Sequence, residues 1–329
     1  MSNIFVFVRH IGEQGEIRIA EPVNGSDDMR FFVGVKATEA TEAGEMPSAE
    51  AMRKMNEFNE EVVAAGVMID GNGLQASSEG YKIITENGAT TIIDGPFAET
   101  KELIAGYWVI QAKSMEEAIA WIKRAPMDVG GNDVSVEIRQ IFELEDFPET
   151  DDESGWRENE EELRREWYAG SPSDAQGSLQ PTPGKLVYMG MVHATADSEA
   201  GALPNEEELA TMGALMEESA AAGILLGGEG LRPSSEGVQI RFHDGERTVT
   251  DGPFTETKEL VGGYALMQFD DEEQAREWTL RFAKTSGQEC VQVRKVMRPE
   301  DFSEEVRAEA ADVFEAEERM REAVANRDS

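Results

Sequence analysis

The chain has 329 residues, long enough for two domains, and 40% of them are hydrophobic, enough to bury a core. Asp and Glu (67) outnumber Lys and Arg (30), and a formal charge of −37 repels phosphate backbones and anionic bilayers alike, so neither nucleic acid nor membrane is an expected partner. One cysteine, Cys290, cannot close an intrachain disulfide, and no apolar run reaches the roughly 18 residues of a membrane span, so the expected location is the cytoplasm.

Residues 1–28 hold two β-rich runs, Ile4–Val8 and Glu16–Ile19, that could pair across Gln14-Gly15. This extension is either an added hairpin or the product of an upstream start codon. A strand is expected over residues 30–36. A helix follows over 48–65: Ser48 is its N-cap, Met52, Met55, Phe58, Val62 and Val63 recur at helical spacing, and Gly66 ends it. Val67–Ile69 starts another strand. Residues 81–93 read as two strands about Asn87-Gly88, a pair that tolerates positive φ in a tight hairpin. Strand 105–112, helix 115–124 and strand 134–142 complete the unit. Residues 151–168 predict an acidic helix with Trp156, Leu163 and Trp167 on an apolar stripe, and 170–184 form a Pro/Gly/Ser linker.

The unit then repeats. Asp94-Gly95-Pro96-Phe97 returns as Asp251-Gly252-Pro253-Phe254, an offset of 157, and 18 of 34 positions are identical between 77–110 and 234–267. Past the second helix the offset is 155, so that Val136-Glu137-Ile138-Arg139 matches Val291-Gln292-Val293-Arg294. The expected organisation is an extension (1–28), copy one (29–147), an acidic helix and linker (148–185), copy two (186–302) and a C-terminal helix (303–329). On the last helix Val306, Ala310, Val313, Phe314 and Met320 share a face that should pack on the body. The fold class is α+β: two ferredoxin-like βαββαβ units, each with an extra hairpin. One unit leaves a sheet face bare, and two can cover each other as an intrachain pseudo-dimer.

Asp-Gly-Pro-Phe-x-Glu-Thr-Lys-Glu-Leu, at 94–103 and 251–260, resembles the signature of the YCII-related family in its DGPF branch. Met29-Arg30-Phe31, Ala64-Ala65-Gly66-Val67, Ser77-Ser78-Glu79-Gly80 and Glu137-Ile138-Arg139-Gln140 support the resemblance. It implies a dimeric α/β barrel with sheets packed face to face and a cavity for a small organic molecule. Some relatives on that fold are lyases, dehydrochlorinases or isomerases. A His-Asp pair serves as the suggested site in other branches.

Candidate site residues follow from both lines. His193 ends the first strand of copy two, and Asp251 opens the second signature. Paired, the carboxylate would fix the imidazole tautomer and raise its pKa for proton transfer. Copy one has Asp94 and, in place of the histidine, Lys36, which would give an ion pair instead of a proton shuttle. The bland reading of both aspartates is an Asx turn. Lys101 and Lys258, with Glu99, Glu102, Glu256 and Glu259 around them, could hold a polar ligand or be solvated pairs. Arg139 and Arg294 on the last strands could bind an anionic ligand or pair with carboxylates. Gly71-Asn72-Gly73 and Gly227-Gly228-Glu229-Gly230 lack the Gly-Lys-Ser/Thr of a phosphate loop and fit a bulge after the second strand. No cofactor or metal set is expected, and a further homo-oligomer stays open. Two functions are therefore expected alternatives: a small-molecule-binding protein with lyase- or isomerase-type acid–base chemistry, or a non-catalytic binding or regulatory module.

Overall fold

The computed structural model describes residues 29–98, 103–127, 133–147, 155–168, 181–254 and 260–325. The extension 1–28, the linker over 169–180, and Lys101 and Lys258 lie outside the described residues. Copy one runs β1 (Met29–Lys36), α1 (Glu39–Glu42), α2 (Ala49–Ala64), β2 (Met68–Gly73), β3 (Tyr81–Glu86), β4 (Ala89–Asp94), β5 (Ile104–Ala112), α3 (Met115–Ile122) and β6 (Val134–Gln140). The helix α4 (Trp156–Tyr168) follows. Copy two runs β7 (Leu186–His193), α5 (Ala196–Glu199), α6 (Glu206–Ala221), β8 (Leu225–Gly230), β9 (Val238–His243), β10 (Glu246–Asp251), β11 (Val261–Phe269), α7 (Glu272–Ser286) and β12 (Cys290–Lys295). The chain closes with α8 (Glu304–Glu309) and α9 (Ala311–Ala325).

Local chemistry sets the element ends. Ser48 caps α2 by accepting from the Ala51 amide at 3.2 Å, and Gly66 takes the left-handed backbone (φ 74°) that ends it. Both hairpins turn on residues with positive φ, Asn87-Gly88 (50° and 77°) and Asp244-Gly245 (47° and 81°).

Each copy contributes four antiparallel strands in the ferredoxin-like order, β6-β1-β5-β2 and β12-β7-β11-β8. The hairpins do not stay with their own copy. β9–β10 of copy two adds to β6 of copy one, and β3–β4 of copy one adds to β12 of copy two, making two six-stranded sheets. The exchange covers one edge of each sheet, an edge that would otherwise expose unpaired backbone groups. At the hairpin tip Arg241 donates to Asp133 at 3.1 Å, and His243 Nδ1 lies 3.2 Å from the same carboxylate.

Side chains alternate between two faces of each sheet. One face of β1, β5, β7 and β11 feeds a core drawn from both copies, including Phe32, Tyr107, Val109, Met189, Met191, Tyr264 and Leu266. The two sheets are thus packed together, as the repeat implied. The other face of each sheet packs on helices: Phe31, Val33, Ile138 and Ile240 with α2 and α3, and Tyr81, Ile83, Val291 and Val293 with α7. Antiparallel bridges join the copies at Leu74–Val296 and Ile141–Leu231. The flanking helices cross over as the hairpins do. α4 packs on α6 with Leu163 in the copy-two core, and α9 packs on α2 with Met320 in the copy-one core.

Candidate functional site

The signature segments are anchored to the Ser-Ser-Glu-Gly turns that precede each hairpin. Ser77 Oγ accepts from the Phe97 amide at 3.1 Å, and the Gly95 amide donates to Gly80 O at 3.0 Å. A Cβ on Gly95 would lie 1.8 Å from Ser77 O, so no other residue fits. Copy two repeats this: Ser234 Oγ accepts from Phe254 at 3.4 Å, Gly252 donates to Gly237 O at 2.9 Å, and a Cβ at Gly252 would lie 1.8 Å from Ser234 O. The Ser77 amide donates to Glu42 at 3.0 Å and the Ser234 amide to Glu199 at 3.0 Å. These glutamates sit on the short helices α1 and α5.

Each glutamate meets the buried arginine of the opposite copy. Arg139 on β6 donates to Glu199 (3.2 Å) and to the Arg232 carbonyl (2.8 Å). Arg294 on β12 donates to Glu42 (3.0 Å) and to the Gln75 carbonyl (3.2 Å). Both arginine side chains are 1% exposed. They alternate along their strands with Ile138 and with Val293, which face the helices, so the arginines face the interior between the sheets. Arg139 and Arg294 thus do pair with carboxylates.

The two copies then differ. In copy one Arg139 Nη1 also donates to Glu137 at 3.1 Å, and Lys36 Nζ lies 2.8 Å from the other oxygen of that carboxylate. Burial alone would push the Glu137 carboxyl up, but Lys36 and Arg139 together outweigh it and hold it below its ordinary value. In copy two Gln292 takes the place of Glu137 and His193 that of Lys36. Arg294 Nη1 and Gln292 Nε2 are buried and have no hydrogen-bond partner among the described residues. Burial lowers the Arg294 pKa, and Glu42 offsets it only in part.

His193 follows Met189 and Met191 on β7 at a spacing of two, which turns it toward the same interior as Gln292 and Arg294. Its Nε2 lies 3.9 Å from Cys290 Sγ on the neighbouring strand β12. Asp251 lies elsewhere. Its register partner is Val238, whose side chain belongs to the helix-facing core of the other sheet. The structure therefore does not bring His193 and Asp251 together, because the hairpin exchange carries Asp251 into copy one's sheet and strand register turns it outward. Asp94 is likewise exposed on the helix side, where it accepts from Arg276 of α7 at 2.7 Å. Lys36 pairs with Glu137, not with Asp94.

Further polar residues of the interior were not among the candidate site residues of the sequence. Tyr107 donates to Asp70 at 2.6 Å, and Asn72 donates to Tyr107 at 2.9 Å. Burial raises both the Asp70 carboxyl and, well above its ordinary value, the Tyr107 phenol. At the equivalent place in copy two, Glu229 is buried between Arg30 and Arg164, the latter 3.0 Å away. The recurrence of Tyr107 as Tyr264 was the available signal. The glycines beside them lie within β2 and β8. A Cβ on Gly71 would approach Trp108 to 2.5 Å, so close ring packing is the reason for that glycine.

An uncharacterised protein of Rhizobium meliloti (strain 1021) is 32% identical over 68 residues, which are 21% of this chain and 55% of that protein. Among solved structures, a chlorite dismutase from Candidatus Nitrospira defluvii in complex with imidazole overlaps 88% of this chain and 95% of its own, at 8% identity and a TM-score of 0.36. An anthrone oxidase-like protein overlaps 84% and 93%, at 10% identity and a TM-score of 0.30. The sequence profile of the YCII-related domain matches residues 29–145 and again 187–299, two matches that together span more than half of the chain, and the chain belongs to that family.

Proposed function

We propose that the two sheets form an intrachain pseudo-dimeric α/β barrel that binds a small organic molecule between them, on the side of copy two. The observation that carries this reading is the contrast between the two interior rows. Lys36, Glu137 and Arg139 satisfy one another in copy one, whereas in copy two Gln292 and Arg294, which share their interior with His193, each keep a donor without an acceptor among the described residues. An imidazole next to such donors can accept a proton from a bound molecule and return it, the requirement of lyase- or isomerase-type chemistry. Copy one is then a scaffold. The aspartates and glycines of the signature position the hairpins and do not touch the ligand.

The test is ligand-observed NMR with a panel of small acidic, neutral and basic organic molecules on the full chain, read together with the His193 ring resonances. Binding that shifts the His193 ring and is lost in His193→Ala supports the reading. Binding that leaves the ring unmoved, or no binding at all, supports the other reading, a non-catalytic interaction module. The spending of Ser77, Glu42, Ser234 and Glu199 on internal contacts favours that alternative.

A further inference from the structure

We infer that the ligand of copy two carries an anionic group, a carboxylate or an oxyanion of similar size, and that Arg294 Nη1 and Gln292 Nε2 are its donors. The inference rests on the small-molecule reading above and names the ligand's chemical class. Copy one supplies the internal standard. There the Glu137 carboxylate accepts from Arg139 Nη1 and from Lys36, so one carboxylate satisfies the guanidinium edge that points between the sheets. In copy two the same edge of the guanidinium has no carboxylate. Gln292 is 4% exposed and Arg294 is fully buried, yet each leaves a donor without a partner among the described residues. A buried donor left unmade is costly, and more so for a charged group, so a fold that keeps two of them on one face of β12 gains from any acceptor that reaches them.

The remaining partners of Arg294 fix its orientation. Its Nε and Nη2 are held by the Gln75 carbonyl and Glu42, and the backbone behind them is pinned by the Leu74–Val296 bridge. Nη1 is therefore aimed before any ligand arrives. The charges agree as well. Lys36, Glu137, Arg139 and Glu199 sum to zero in copy one. Arg294 and Glu42 sum to zero in copy two, and protonation of His193 adds one positive charge that an anion would balance.

The experiment compares sodium formate, acetate and benzoate with formamide, acetamide and benzamide on the full chain at fixed ionic strength. It follows the side-chain Nε–H signal of Arg294, the amide signals of Gln292 and the His193 ring. The carboxylates are expected to bind at one site per chain and to shift all three, and the amides to bind at least tenfold more weakly. Gln292→Glu supplies the copy-one carboxylate from within and is expected to weaken carboxylate binding at least tenfold. Glu137→Gln is expected to open copy one and raise the stoichiometry to two. Equal binding of amides and carboxylates at His193 overturns the anionic class and leaves the small-molecule reading standing. Undiminished carboxylate binding by Gln292→Glu, or carboxylate binding that moves none of these signals, overturns the site itself. Failure of all six probes to bind overturns the anionic class, and the broader panel then decides the small-molecule reading alone.

Discussion

The interior of copy one and the interior of copy two are built on the same strands, the same signature and the same buried arginine, yet one is electrostatically closed and the other is not. Two substitutions make the difference: Glu137 against Gln292 and Lys36 against His193. In copy one each charge of this row has an internal partner. In copy two the arginine keeps its scaffold contacts, to Glu42 and Gln75, and loses the contact facing the interior. Duplication thereby separates two tasks that a symmetric dimer must perform at both sites. One interior closes on its own charges, and the other keeps two buried donors without a partner among the described residues.

The comparison can be broken hardest at the feature the copies share. Gly95→Ala and Gly252→Ala each drive a Cβ into a serine carbonyl 1.8 Å away. Each is expected to cost at least about 3 kcal/mol, equally in both copies. Urea denaturation measures this, and a large inequality would mean that the two signatures do not build the same turn.

Removing the arginines should separate the copies. Arg139→Met leaves Glu137 and Glu199 short of a buried partner and is expected to cost about 3–5 kcal/mol. Arg294→Met strands only Glu42 and removes a donor that was already unpaired, so a smaller loss, about 1–2 kcal/mol, is expected. Equal losses in the same denaturation experiment would erase the distinction drawn between the interiors.

The dependence on pH sharpens the same point. A carboxyl whose pKa is lowered on folding contributes stability above its ordinary value, near 4.5 for Glu137, and loses that contribution as the pH falls toward the folded value. Wild type should therefore lose stability as the pH falls below about 4.5, and Glu137→Gln should lose part of that slope. Thermal melts across pH 3–7 would show it, and identical slopes would mean that Glu137 is not held by Lys36 and Arg139 as described.

The smallest effect is expected at the signature aspartates. Asp94→Asn breaks an exposed pair with Arg276 and should change stability by about 1 kcal/mol or less. Asp251→Asn should leave the His193 ring titration where it was, since the two groups occupy different sheets. A His193 pKa that falls in Asp251→Asn would restore the imidazole–carboxylate pair as a working unit.

Much of the fold was legible because its signals are local. The apolar spacing of Met52, Phe58 and Val62 reports a helix face, Ser48 and Gly66 mark its ends, and Asn87-Gly88 can hardly be anything but a tight turn. The candidate site was legible only in part. His193, Arg139 and Arg294 stood out in the sequence, and all three face the interior. Gln292, Cys290, Asp70 and Glu229 did not, because a single polar residue in a strand carries no mark of the face or neighbour it will meet. The expected pairing of His193 with Asp251 assumed that each hairpin stays with its own copy.

The sequence by itself determined that there are two copies, which strands and longer helices each contains, where the hairpin turns fall and where the copies diverge, since all of this follows from residue type and spacing along the chain. Tertiary structure alone decided which sheet each hairpin joins and which carboxylate meets which arginine. Antiparallel strands are held by backbone groups that are the same in every strand, so the ladder does not name its partner. The choice falls to the side chains packed across both copies, and through it to the interior that keeps its carboxylate and the one that does not.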